Sequence, residues 1–147
     1  MKLKSVFVSL VLFVNVAAAQ DYFTARYTPF DSTIQSPEAF LERPVGAQHT
    51  RHDQIVAYLE YLAKVSPRAK ITYYGKTHEG RKLPILIVGD PSHLEQLDAL
   101  QAKHLAHLQQ PSSANEERPL FINLGYNVHG NEPSSSEAAL LAAYTFS

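Results

Sequence analysis

Leu120-Phe121-Ile122-Asn123-Leu124-Gly125-Tyr126-Asn127-Val128-His129-Gly130-Asn131-Glu132-Pro133 is the stretch on which the fold turns. Residues 120–128 form a short apolar run, which predicts a buried strand leading straight into the polar residues that follow. Pro133 and then Ser134-Ser135-Ser136-Glu137-Ala138-Ala139-Leu140-Leu141-Ala142-Ala143-Tyr144 read as the opening of a helix, since proline is at home in a first turn, where its missing N–H costs nothing. His129 thus falls where a strand ends and Glu132 where a helix begins. In open α/β sheets, ligands bind outside the carboxyl ends of strands. An imidazole and a carboxylate three residues apart at such an edge can share one metal ion.

Upstream, Ile55, Tyr58, Leu59, Leu62 and Val65 recur at spacings of three and four and predict a helix over 52–65, stopped by Ser66-Pro67. Two strands follow, 69–76 and 83–88. Thr77-His78-Glu79-Gly80-Arg81-Lys82 joins them as a hairpin turn, with Gly80 as the residue suited to positive φ. Asp90-Pro91-Ser92 opens a second long helix reaching to about residue 108, and 109–118 is polar loop. The order is helix, hairpin, helix, strand, helix. It predicts an α/β fold: a mixed sheet flanked by helices. An apolar third strand needs neighbours on both sides, so further strands are expected beyond Ser147, where the chain stops inside an apolar helical run without a cap or a proline. The expectation is an incomplete N-terminal portion of a larger domain.

The first residues stand apart from the fold. Lys2 and Lys4 make a positive start, residues 6–14 an apolar core, and Ala17-Ala18-Ala19 a small-residue cleavage site. Residues 1–19 are therefore read as a signal peptide leaving Gln20 as the new N-terminus, and the product as exported, periplasmic or secreted. The apolar run falls short of the ~20 residues a membrane span needs, so no stable membrane anchor is expected. Residues 20–51 mix aromatics with Pro29, Pro37 and Pro44 and read as an N-terminal arm carrying a short helix near Pro37. The net charge of −1 falls to −3 once Lys2 and Lys4 are removed, and no basic stripe for nucleic acid is present. The chain has no cysteine, which excludes disulfides, thiolate catalysis and thiolate metal sites.

A catalytic zinc ion takes three protein ligands, commonly imidazole and carboxylate, and leaves one position open to a water whose pKa it lowers towards ~7. His129 and Glu132 offer two of the three. A plainer reading is a turn histidine beside a glutamate that favours the positive start of a helix. Placement between strand and helix, with Gly125 and Gly130 allowing close backbone approach, favours the metal. His104 and His107 share a helix face with Lys103 and Gln101 nearby and read as solvated. His49 and His52 flank a helix start and read as polar surface.

Tyr74-Gly75-Lys76-Thr77-His78-Glu79-Gly80-Arg81-Lys82-Leu83-Pro84-Ile85 resembles the Gly-x-Ser/Thr-x-Glu-Gly-Arg hairpin of the M14 zinc carboxypeptidases. His129-Gly130-Asn131-Glu132-Pro133 resembles that family's first zinc motif, and the helix ending at Ser66-Pro67 fits the segment ahead of its hairpin. The resemblance covers 52–147 as the N-terminal part of the catalytic domain. It implies Zn2+ as cofactor, His129 and Glu132 as the first two ligands, and the C-termini of peptides or proteins as substrate. The Glu79-Gly80-Arg81 turn is taken as structural. The family's third ligand, a histidine, its substrate-binding arginines and tyrosine and its general-base glutamate all belong to later segments, so no catalytic residue is assigned. Asn131 stands where many members carry an arginine that contacts substrate, and that contact is not carried over. Two alternatives stand beside this one: a zinc amidohydrolase of the aspartoacylase and succinylglutamate desuccinylase kind, and a non-catalytic exported binding module.

Overall fold

The structure, a computed structural model, describes residue 27, residues 29–110 and residues 119–147. The signal peptide read at 1–19 and most of the loop at 109–118 lie outside the described residues. Two compact units divide between Ser32 and Thr33. Of the first, Tyr27 and residues 29–32 are described, and Tyr27 is exposed.

The second unit, Thr33–Ser147, contains all the regular structure described. In order these are α1 (Pro37–Leu41), α2 (His52–Val65), β1 (Ala69–Lys76), β2 (Lys82–Val88), α3 (Pro91–Glu95), α4 (Leu97–Gln109) and α5 (Pro133–Phe146). Helices beside a small antiparallel sheet agree with the α/β class expected for an N-terminal portion of a carboxypeptidase-like fold.

Helix α2 is the centre of the core. Its Ile55, Tyr58, Leu59 and Leu62 are buried as the three-and-four spacing requires, with Val56 joining them. Val65, expected on the same stripe, is exposed where the helix ends. Gln54 Oε1 reaches back to accept from the Arg51 N–H (3.2 Å), satisfying one of the unpaired donors at the helix start. Ile34, Leu140 and Ala143 complete the buried cluster, so α5 packs on α2. Full burial of a side chain the size of Leu62 or Leu140 contributes about 1.5–3 kcal/mol. The segment 33–50, read as an arm, is tied to α2: the Tyr61 hydroxyl accepts from the Gln35 N–H (2.8 Å), the Tyr58 hydroxyl donates to the Gln35 carbonyl (3.0 Å), and Phe40 lies 5.1 Å from the Tyr58 ring.

β1 and β2 form the expected hairpin, with a bulge between Tyr73 and Gly75. At its tip Gly80 adopts φ +79°, and Arg81 pairs with Glu79 at 2.8 Å. On the surface Glu60 of α2 accepts from the Tyr73 hydroxyl (2.5 Å) and Lys82 (3.1 Å), while His52 Nε2 meets the Lys82 carbonyl at 2.8 Å.

Two expectations are corrected. The single long helix after Asp90 is two, because Gln96 leaves helical geometry (φ −107°, ψ 20°) and closes a tighter turn on His93. No residue of α4 is buried, and Leu105 and Leu108 face solvent. Residues 120–128 form no regular structure and pair with no strand among the described residues, and Leu120, Ile122, Leu124 and Val128 are exposed rather than buried. A strand is held by its hydrogen-bonded neighbours. Without them an apolar, strand-forming sequence stays unpaired. The sheet among the described residues is an antiparallel pair, compatible with an incomplete portion of the α/β fold expected.

Candidate metal centre

The turn ahead of α5 is built by hydrogen bonds that close on themselves. The Asn127 N–H donates to Ser135 Oγ (2.7 Å), and its side-chain amide both donates to Ser136 Oγ (3.0 Å) and accepts from it (3.1 Å). Asn127 adopts φ +56°, a left-handed conformation that asparagine tolerates better than most residues. This is where the backbone reverses. Gly125 and Gly130, expected to serve close approach, have non-positive φ, and an added Cβ would meet nothing within 4 Å at either. The Glu132 N–H then donates to the His129 carbonyl (3.3 Å), and the Ser135 N–H to the Glu132 carbonyl (3.1 Å), starting α5.

This geometry brings the two residues singled out in the sequence together. His129 Nδ1 lies 3.0 Å from Glu132 Oε1, and both side chains are solvent-accessible (68% and 55% exposed). Glu132 occupies the cap position of α5 without capping it through its side chain. Its carboxylate is spent on His129 instead.

The pair fits zinc in kind and in spacing. Imidazole nitrogen and carboxylate oxygen are zinc donors, and two ligands at 2.0–2.1 Å from one tetrahedral ion stand about 3.3 Å apart. The observed contact of 3.0 Å lies within a few tenths of an ångström of that separation. No group of three His, Cys, Asp or Glu residues able to hold a metal occurs among the described residues. His104 is turned to a different task, its ring 5.0 Å from Phe121. No helix among the described residues is long and apolar enough to cross a membrane.

Behind the turn lies a buried polar cluster that sequence reading missed. Glu137, nearly buried on α5, accepts from the Thr50 N–H through Oε1 (2.8 Å). Arg43 Nη2 donates to Thr50 Oγ1 (2.6 Å) and Nη1 to the Gln48 carbonyl (3.3 Å). Ser136, 2% exposed, also lies 3.3 Å from His49 Nε2. One signal was available: Glu137 is three residues before Leu140, so both fall on one helix face, and a carboxylate on a core face needs a donor. The donor, a backbone N–H far away in sequence, has no signature.

Compared with known proteins, residues 55–147 match the family model described as zinc carboxypeptidase. No curated protein and no solved structure matches the chain.

Proposed function

The chain belongs to the zinc carboxypeptidase family, and from that premise we propose that it is the N-terminal portion of a metallocarboxypeptidase in which His129 and Glu132 hold the metal. The observation that carries this reading is the convergence of His129 Nδ1 and Glu132 Oε1 to 3.0 Å at the head of α5, in an accessible turn. Zinc, when held there, supplies a Lewis acid that polarises a peptide carbonyl and activates water.

The chain's own residues perform the holding. His129 offers Nδ1, Glu132 offers Oε1, and the Asn127–Ser135–Ser136 bonds fix the turn between them and the core. Two donors leave a catalytic zinc site short of the usual three protein ligands. We assign the third ligand, the general base and the groups that bind a substrate C-terminus to sequence following Ser147 in a longer protein. Residues 1–19 are read as its export signal, to be removed ahead of Gln20.

The decisive experiment reads the gene downstream of Ser147 and assays the full-length product on peptides with free and amidated C-termini. A further histidine on a strand, a later glutamate and release of the C-terminal residue from the free peptides alone are expected. Hydrolysis of small acyl-amino acids without peptide cleavage would turn the assignment towards the amidohydrolases. Absence of the later ligands would turn it towards a binding module. The 147-residue chain by itself is expected to bind zinc weakly and to turn over no peptide.

A further inference from the structure

The family-matched region begins at Ile55, yet His49 and Thr50, which lie ahead of it, reach the first turn of α5, the helix that follows the His129–Glu132 pair, and Arg43 in turn bonds Thr50. Glu137 is 9% exposed, and its Oε2 has no hydrogen-bond partner among the described residues. Arg43 Nε is likewise buried without a partner. Glu137 is thus withdrawn from water to accept the Thr50 N–H, while the half-buried Arg43 divides its donors between the Thr50 hydroxyl and the Gln48 carbonyl. Burying charged groups is unfavourable unless the bonds they make repay it. A neutral, apolar contact would hold segment to helix more cheaply, so the polar one is explained by the direction it imposes. Hydrogen bonds fix orientation where apolar packing tolerates slip.

The orientation is passed to the metal pair through adjacent residues. Ser136, next to Glu137, bonds His49 on one side and the Asn127 side chain on the other. Asn127 is two residues before His129 and is held at its N–H by Ser135. Among the described residues the polar ties of Asn127 thus end on Ser135 and Ser136, and Ser136 in turn meets His49 of the segment before α2.

We propose that the segment 43–50 is a brace that positions His129 and Glu132 for metal, with Glu137 and Ser136 as its positioning residues on α5. The brace rests on the metal reading of His129 and Glu132. It adds to that reading a set of residues that touch neither metal nor substrate and act through the turn. Partners that orient ligands typically account for a 10–100-fold share of metal affinity.

The test is zinc titration of the full chain against a chromophoric chelator, with far-UV circular dichroism confirming that each variant is folded. Glu137→Ala and Ser136→Ala are expected to weaken zinc binding by about tenfold. Glu137→Gln keeps an oxygen for the Thr50 N–H and should stay within about threefold of the parent, a rescue that charge loss alone would not permit. Glu60→Gln, which loosens the α2–hairpin tie, should leave zinc affinity unchanged. If Glu137→Ala does not fold, Ser136→Ala decides. Undiminished affinity in folded Ser136→Ala and Glu137→Ala, while His129→Ala loses zinc, would overturn the brace and leave the metal site standing. Equal losses in Glu60→Gln and Glu137→Ala would overturn it as well, reducing the effect to general loosening. Undiminished zinc binding in His129→Ala would remove the metal reading and the brace with it.

Discussion

Replacing His129 by alanine separates a residue kept for chemistry from one kept for stability. The side chain is 68% exposed and its polar contact among the described residues, to Glu132, is made at the surface with a partner that is 55% exposed. Such a pair contributes roughly 0–1 kcal/mol and is further screened by salt. Alanine also propagates a helix start no worse than histidine does. The thermal midpoint of His129→Ala should therefore lie within about 4 °C of the parent. For zinc, the substitution removes one of the two proposed donors, and affinity should fall at least about a hundredfold, the upper end of what even an indirect partner of a ligand costs. Calorimetric zinc titration and a thermal melt on the same sample test both halves. A large drop in midpoint with zinc affinity intact would refute the reasoning, because it would make the His129–Glu132 contact a structural tie at a helix start and nothing more.

Leu140→Ala should destabilise the chain by about 2–5 kcal/mol, since Leu140 is fully buried between α5 and α2; urea unfolding reads this directly. Gly80→Ala should cost about 1 kcal/mol from the positive φ at the hairpin tip, with zinc affinity untouched because the tip has no part in the turn at 127–132. The Tyr73 hydroxyl, and after it Lys82, hold the Glu60 carboxyl below its ordinary value. Its contribution is present above the unfolded carboxylate pKa and is lost as pH falls through the lowered folded value. Glu60→Gln should therefore slightly flatten the acid limb of the stability profile, an effect that shrinks with added salt because the groups are exposed; an unchanged acid limb at low salt would count against the tie.

What could be read in the sequence followed from local rules. The spacing of Ile55, Tyr58, Leu59 and Leu62 places α2 to the residue, and a proline at the first turn places both α1 and α5. Gly80 sits at positive φ in the hairpin, where turn chemistry puts it. The meeting of His129 and Glu132 was legible for the same reason: a three-residue spacing at the head of a helix leaves two side chains little choice but to meet. The misreadings share a different cause. Residues 120–128 have the composition of a buried strand, but burial is a property of neighbours, and none of the described residues pairs with them. The break at Gln96, between α3 and α4, likewise left no mark in the composition of its segment.

The polar cluster behind the turn shows why a site is only partly visible in its motif. Spacing along the chain reports contacts within a few residues, whereas Thr50 and Glu137 are brought together by the packing of α5 on α2. The burial of Leu140 and Tyr58 thus does two things at once. It supplies the apolar stabilisation, and it delivers the first turn of α5 to the one backbone N–H that can satisfy Glu137. A core substitution that tilts α5 without unfolding it would then disturb Asn127 and His129 before it disturbed the hairpin. On the proposed brace, the His129–Glu132 spacing depends on the hydrophobic core, through residues that touch neither side chain.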